Sequence, residues 1–258
     1  MVEHDRVRPG AALAPFVAHF WHVAWSLRAP FLAETLPHPT VHLTFEREGR
    51  VDRAWIGGAG TARFTRRLEG EGWVFGIKFR PAAFAATGDD ASTLTDARLP
   101  LARRMGRAWG ELSRDVFGTG DLAARIDRAE AFLAPRLRPL STEAAGVRDL
   151  VERIEQDRSL LRVEDAARAM GCDVRTLQRL FRRHVGVAPK WVIQRYRLVE
   201  AAERLRACGA ASLASLAASL GYADQAHFAR DFKRVIGTPP RGFSATHARA
   251  RQASRRPG

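Results

Sequence analysis

Cysteine is nearly absent from this chain: Cys172 and Cys208 are its only two thiols in 258 residues. Two thiols cannot build the multi-bridge framework of a small secreted domain, so a reducing, cytoplasmic setting is expected. The opening residues, MVEHDRVRPG, lack the apolar core of a secretory signal. No apolar run reaches the ~18 residues that a membrane-spanning helix needs. The sequence also lacks a GxSxG elbow, a P-loop and a dinucleotide fingerprint, which removes the commonest hydrolase and nucleotide-binding readings.

Acidic residues are scarce at one end only. From Gly171 to the C-terminus there are 17 Lys/Arg against 5 Asp/Glu, whereas residues 1–170 hold 25 and 23. Almost all of the formal +14 charge therefore sits in the last third. A basic segment joined to a near-neutral one points to a polyanionic partner for that segment.

The patterning divides the chain in the same way. Segments 20–28, 40–47, 53–58, 62–68 and 73–81 are short, rich in aromatic or β-branched residues, and bounded by Gly or Pro. Val41, Leu43 and Phe45 alternate with His42, Thr44 and Glu46, which is the period-2 signature of a strand with one buried face. A small antiparallel barrel or sandwich is predicted. From about residue 99 the spacing becomes helical, and Pro135, Pro139 and Ser141 mark a boundary near 140. Helices are expected at 144–157, 163–170, 174–184, 189–207, 212–220 and 225–235, with a short one at 240–246. The fold class is thus α+β. A β-barrel or sandwich-like domain with trailing helices occupies 1–140, an all-α domain 141–247, and a basic, disordered tail 248–258.

The helical part contains a repeat. DVRTLQRLFRRHVGVAP (173–189) aligns without gaps on DQAHFARDFKRVIGTPP (224–240) at an offset of 51 residues. Asp173 meets Asp224, Arg179 meets Arg230, Phe181 meets Phe232, Gly186 meets Gly237 and Pro189 meets Pro240. A glycine precedes each copy, at Gly171 and Gly221. Each copy reads as helix, tight turn, helix, with the Asp as N-cap and the second glycine at C′. Arg175, Gln178, Arg179 and Arg182 remain outside in the first copy; Gln225, Ala226, Arg230 and Lys233 remain outside in the second. Arg donates bidentately to guanine and Gln to adenine, and Ala suits a thymine methyl, so these are the residue types of major-groove reading. The helix between the copies is about 28 Å long at 1.5 Å per residue. That approaches the ~34 Å between successive major-groove faces. Double-stranded DNA contacted in two successive major-groove segments is the expected partner, and Glu200 and Arg204 read as the exposed face of the connecting helix.

On these residues, 159–245 resemble the DNA-binding domain of the AraC/XylS regulators. The carriers are RTLQRLFRRHVGVAP, RLVEAAERL and GYADQAHFARDFKRVIGTPP. The resemblance implies base contacts from Arg175, Gln178 and Arg179 and from Gln225, Ala226 and Arg230. The sequence departs from the pattern at Asp173, where Ser is usual, at Val174, and at Ala226, where a polar residue is common. LPHPTVHLTF, the Gly57–Gly58 turn and VFGIKFRPAAF resemble a β-rich domain found ahead of such helical domains. That resemblance implies a small-molecule effector, with RNA polymerase and a second copy of the chain as further partners. Trp21, Trp25, His42, Trp55, Phe75 and Phe79 are the candidates to line an effector pocket.

The competing reading is a cupin-like metalloenzyme carrying a DNA-targeting domain, with His19, His22, His38 and His42 as ligands. Pro39 interrupts the His38/His42 spacing and no convincing carboxylate ligand sits nearby, so neither a metal, nor another cofactor, nor enzymatic activity is expected. The absence of cysteine before Cys172 excludes a thiol-based alkyl-acceptor repair protein.

Overall fold

The computed structural model describes residues 1–208 and 212–253. Six strands come first: β1 (Val2–Val7), β2 (Val17–Thr35), β3 (His42–Glu48), β4 (Val51–Gly57), β5 (Phe64–Phe79) and β6 (Arg98–Pro100). They form one antiparallel sheet in the order β1-β2-β5-β3-β4-β6. The order is linear, with β1 and β6 at opposite edges, so the sheet stays open rather than closing into a barrel. What hides its apolar face is a helical layer: α1 (Leu101–Met105), α2 (Arg107–Phe117) and α3 (Leu122–Leu133). Leu101, Trp109, Leu112, Val116, Ala129 and Leu133 pack there against Phe20, Leu43, Phe45, Phe75, Ile77 and Phe79. The two segments expected at 62–68 and 73–81 are one continuous strand, because β5 finds β2 as a partner along most of its length.

Strand alternation divides the proposed pocket residues between two faces. Phe75 and Phe79 are fully buried in the helix-covered core. Trp21, Trp25, His42 and Trp55 project to the opposite face, as their register with Gly76, Gly72, Lys78 and Thr44 requires. A common aromatic interior lined by all six therefore does not exist. Gly72 and Gly76 make room for indoles: a Cβ at either would run into the rings of Trp25 and Trp21.

The helical part comprises α4 (Thr142–Gln156), α5 (Val163–Met170), α6 (Val174–Val185), α7 (Pro189–Cys208), α8 (Leu213–Ser219), α9 (Gln225–Ile236) and α10 (Pro240–Ala253). Ser141 caps α4 through the amide of Ala144. The terminal helix runs well past 246, so residues 248–253 of the expected disordered tail are helical. Residues 254–258 lie outside the described residues.

Candidate nucleic-acid interface

Two helix-turn-helix units are built from the same local devices. In the first, α5 ends at Gly171 with φ 70°, a left-handed turn that only glycine adopts without strain. Asp173 then accepts from the Thr176 amide at 2.8 Å and from its hydroxyl at 3.0 Å, starting α6. In the second, α8 gives way at Gly221 with φ 80°, and Asp224 accepts from the His227 amide at 2.7 Å. Gly186 (φ 90°) and Gly237 (φ 96°) end the two second helices.

The inner faces carry the apolar residues that helical spacing predicts. Leu177, Leu180, Phe181 and Val185 are buried in the first unit, and Phe228, Phe232, Val235 and Ile236 in the second. The outer faces hold Arg175, Gln178, Arg179 and Arg182, all exposed, and Ala226, Arg230 and Lys233, also exposed, with Gln225 half-buried. Arg179 approaches Glu143 at 3.9 Å. The other polar side chains of this set make no hydrogen bond or ion pair among the described residues, so their donors are available to an incoming ligand. Cys172 is a half-buried free thiol, and burial, followed by the neighbouring Asp173 charge, pushes its pKa up and disfavours a reactive thiolate.

α7 belongs to both units. Val192, Ile193 and Tyr196 on its first half pack with α4 and α6, whereas Leu198, Ala201, Ala202 and Leu205 on its second half pack with α8 and α9. At the junction, Arg197 is buried and donates to Glu200 at 2.7 Å and to the carbonyls of Ile154 and Asp157. Glu200 is only 6% exposed and also pairs with Arg204 at 2.5 Å. The expectation of an exposed face at Glu200 was wrong, because helix periodicity alone could not show that α7 is covered on two sides.

The β domain touches the same positions of both units. The Thr95 hydroxyl donates to the Gly186 carbonyl at 2.5 Å. The guanidinium of Arg63, paired with Glu34, occupies the space where a Cβ on Gly237 would stand. Ala59 and Ala82 join the first core and Leu36 the second. None of these contacts has a local sequence signature, since the partners are separated by tens to hundreds of residues.

Of the four candidate metal ligands, His22 lies apart, on the helix-covered face, beside Arg125 at 3.2 Å. His38 Nδ1 lies 3.2 Å from the Lys78 ammonium and 3.0 Å from Arg195. His19 and His42 flank Lys78 as its cross-strand neighbours. Burial, followed by the Lys78 charge, lowers all three histidines, His19 to about 4 and His42 to about 3. Lys78 and Arg195 put positive charge beside these imidazoles, which opposes a metal cation there. Among the described residues, no group of His, Cys, Asp and Glu has the makings of a metal site.

Comparison with known proteins finds matches to two separate parts of the chain. Residues 5–100 match a domain of unknown function (DUF6597), and residues 166–246 match a helix-turn-helix domain. The HTH-type transcriptional activator RhaS of Escherichia fergusonii is 37% identical over 78 residues, covering 30% of this chain and 28% of that protein. The transcriptional activator NphR of a Rhodococcus species is 25% identical over 250 residues, covering 94% of this chain and 64% of that protein. The chain thus spans between about a quarter and two thirds of the length of the curated relatives it matches. Among solved structures, ToxT from Vibrio cholerae aligns over 86% of this chain and 95% of its own, at 11% identity and a TM-score of 0.41. No helix among the described residues is long and apolar enough to cross a membrane.

Proposed function

We propose that this chain, an AraC/XylS-type transcription regulator, binds a specific duplex by laying α6 and α9 into two successive major-groove segments. The observation that carries this reading is the duplication itself: two capped helices present Arg and Gln outward, and one helix is packed into both units. Arg175, Gln178 and Arg179 read one half of the site, with Arg182 on the phosphates. Gln225, Ala226 and Arg230 read the other half, with Lys233 in the phosphate role. Residues 141–247 form the DNA-binding domain. Residues 1–140 form the regulatory domain, which answers to a small-molecule effector and transmits its state through the contacts at Gly186 and Gly237. RNA polymerase at the adjoining promoter is the target of that regulation, and a second copy on a neighbouring site is its natural companion.

Selection of bound duplexes from a random pool, followed by footprinting, tests the reading. A selected site with two conserved blocks about one helical turn apart, both protected, is expected. A footprint confined to a single major-groove segment would show that one unit reads DNA while the other only packs.

A further inference from the structure

The face of the sheet turned away from α1–α3 is electrically lopsided. At one end, Glu46 is buried and pairs with both Arg66, at 2.9 Å, and Arg98. Each arginine there has a carboxylate, and their planes lie over Trp25 and Trp55. At the other end stand Lys78 and Arg195, and neither has a carboxylate within ion-pair distance among the described residues. Glu155 acts on both from further away.

What the two cations share instead is one atom. Lys78 Nζ and Arg195 NH2 both lie within hydrogen-bond distance of His38 Nδ1. An imidazole nitrogen has a single lone pair in the ring plane, so it satisfies one donor well and not two. Arg195 spends its Nε on the Pro37 carbonyl at 2.7 Å and stacks on Tyr196. Beyond His38 and the Pro37 carbonyl, Lys78 and Arg195 make no hydrogen bond from their side chains among the described residues, and Arg195 is only 4% exposed. His19 and His42, also neutral, add further N–H donors on either side of Lys78. A cluster of donors and positive charge with no counter-charge in contact is complete only when an anion fills it. Lys78, His38 and His42 are half-buried rather than sealed, which leaves a way in. Trp21, opposite Gly76, stands on the same face one step along from Lys78, so an organic body attached to the anion also finds an apolar wall.

From this geometry we propose that Lys78, Arg195 and His38, with His19 and His42 beside them, bind the oxyanion of a small metabolite, a carboxylate or a phosphate ester. The proposal rests on the effector-responsive reading above and gives the effector its chemical class. Lys78 belongs to the sheet and Arg195 to α7, so the bound oxyanion joins the regulatory domain to the helix shared by both DNA-reading units. Burial lowers the Lys78 ammonium to about 8, as an ammonium short of counter-charge requires.

The test is calorimetric titration of the full chain, without DNA, at constant ionic strength, with inorganic phosphate, succinate and benzoate as probes. Saturable one-to-one binding of at least one probe is expected. Phosphate alone would indicate a phosphate ester, and succinate or benzoate a carboxylate. Lys78→Met and Arg195→Gln should each weaken binding at least tenfold, whereas Arg50→Gln, at an exposed turn, should leave it unchanged. If Arg195→Gln does not fold, Lys78→Met decides, because it replaces a half-buried ammonium with an apolar chain of similar length. No saturable heat with any of the three probes, or binding that Lys78→Met leaves intact, overturns the proposal. Duplex selection with the anion-free protein is a separate measurement, so loss of DNA recognition and loss of the anion site are told apart.

Discussion

The two helix-turn-helix units share a plan and differ in their surroundings. The first is held from three sides: by α4, by the first half of α7, and by Ala59 and Ala82 of the β domain. The second leans on the second half of α7, on Phe243 of α10 and on Leu36. Their outer faces differ too. α6 carries four arginines and no acid, whereas in α9 Asp231 engages Arg234 at 3.1 Å, His227 at 3.3 Å and the Tyr222 hydroxyl at 3.3 Å. A duplicated unit thus need not offer the same surface twice. Under the proposed function, α6 is expected to be the stronger electrostatic anchor, and α9, with fewer free cations, to depend more on Gln225 and Ala226 at its start.

Breaking the shared helix should have the largest effect. One residue inserted after Arg197 turns the second half of α7 by about 100° and shifts it by about 1.5 Å relative to the first. Specific affinity should fall toward the non-specific level, a loss of about 4 kcal/mol or more, while non-specific binding, which asks little of register, changes far less. Competition binding of the selected duplex against random DNA measures both.

Next in size is the junction. Glu200→Ala leaves Arg197 buried without its carboxylate and should cost about 3–5 kcal/mol of stability. Glu203→Ala, on the exposed side of the same helix, should stay within about 0.5 kcal/mol. Urea unfolding of the two variants makes the comparison, and equal losses would show that the junction is not a special point.

Smaller losses come from the reading faces. Gln178→Ala should relax selectivity in one half-site and Gln225→Ala in the other, each by about 1–3 kcal/mol. Arg182→Ala should instead weaken all sequences alike and lower the salt slope by about one. Repeating the duplex selection with each variant assigns a half-site to each helix; a preference that survives in its cognate half rejects that assignment.

The smallest effects belong to the caps. Asp173→Ala removes two hydrogen bonds to Thr176, and Asp224→Ala removes one to His227. Amide exchange in the first turns should therefore rise more in α6 than in α9. The reverse order would mean that surrounding packing, not capping, sets the stability of these turns.

Much of the helix-turn-helix part was legible in the sequence. Its signals are local: an Asp cap three residues before the amide it accepts from, a glycine where φ turns positive, and apolar residues at helical spacing. All of these recur within each copy of a 51-residue repeat. Strand positions were legible for the same reason, since alternation is a property of neighbours. Sheet closure was not, because whether β1 meets β6 depends on what else covers the apolar face, and α1–α3 cover it. The grouping of six pocket candidates around one interior was not legible either. Composition counts aromatics, but only register decides that Phe75 and Phe79 face the helices while Trp21, Trp25, His42 and Trp55 face away.

What the sequence determined by itself, then, is the pair of helix-turn-helix units, their caps and the residues on their outer faces, since each depends on interactions within a few residues of chain. What only the tertiary structure decided is everything that rests on distant partners. Glu200 became a buried counter-ion, and Thr95 and Arg63 met the two equivalent glycines. Lys78 and Arg195 came to share His38, though 117 residues of chain separate them. Burial and charge balance at such places are set by which segments pack together, and no spacing along one segment records that.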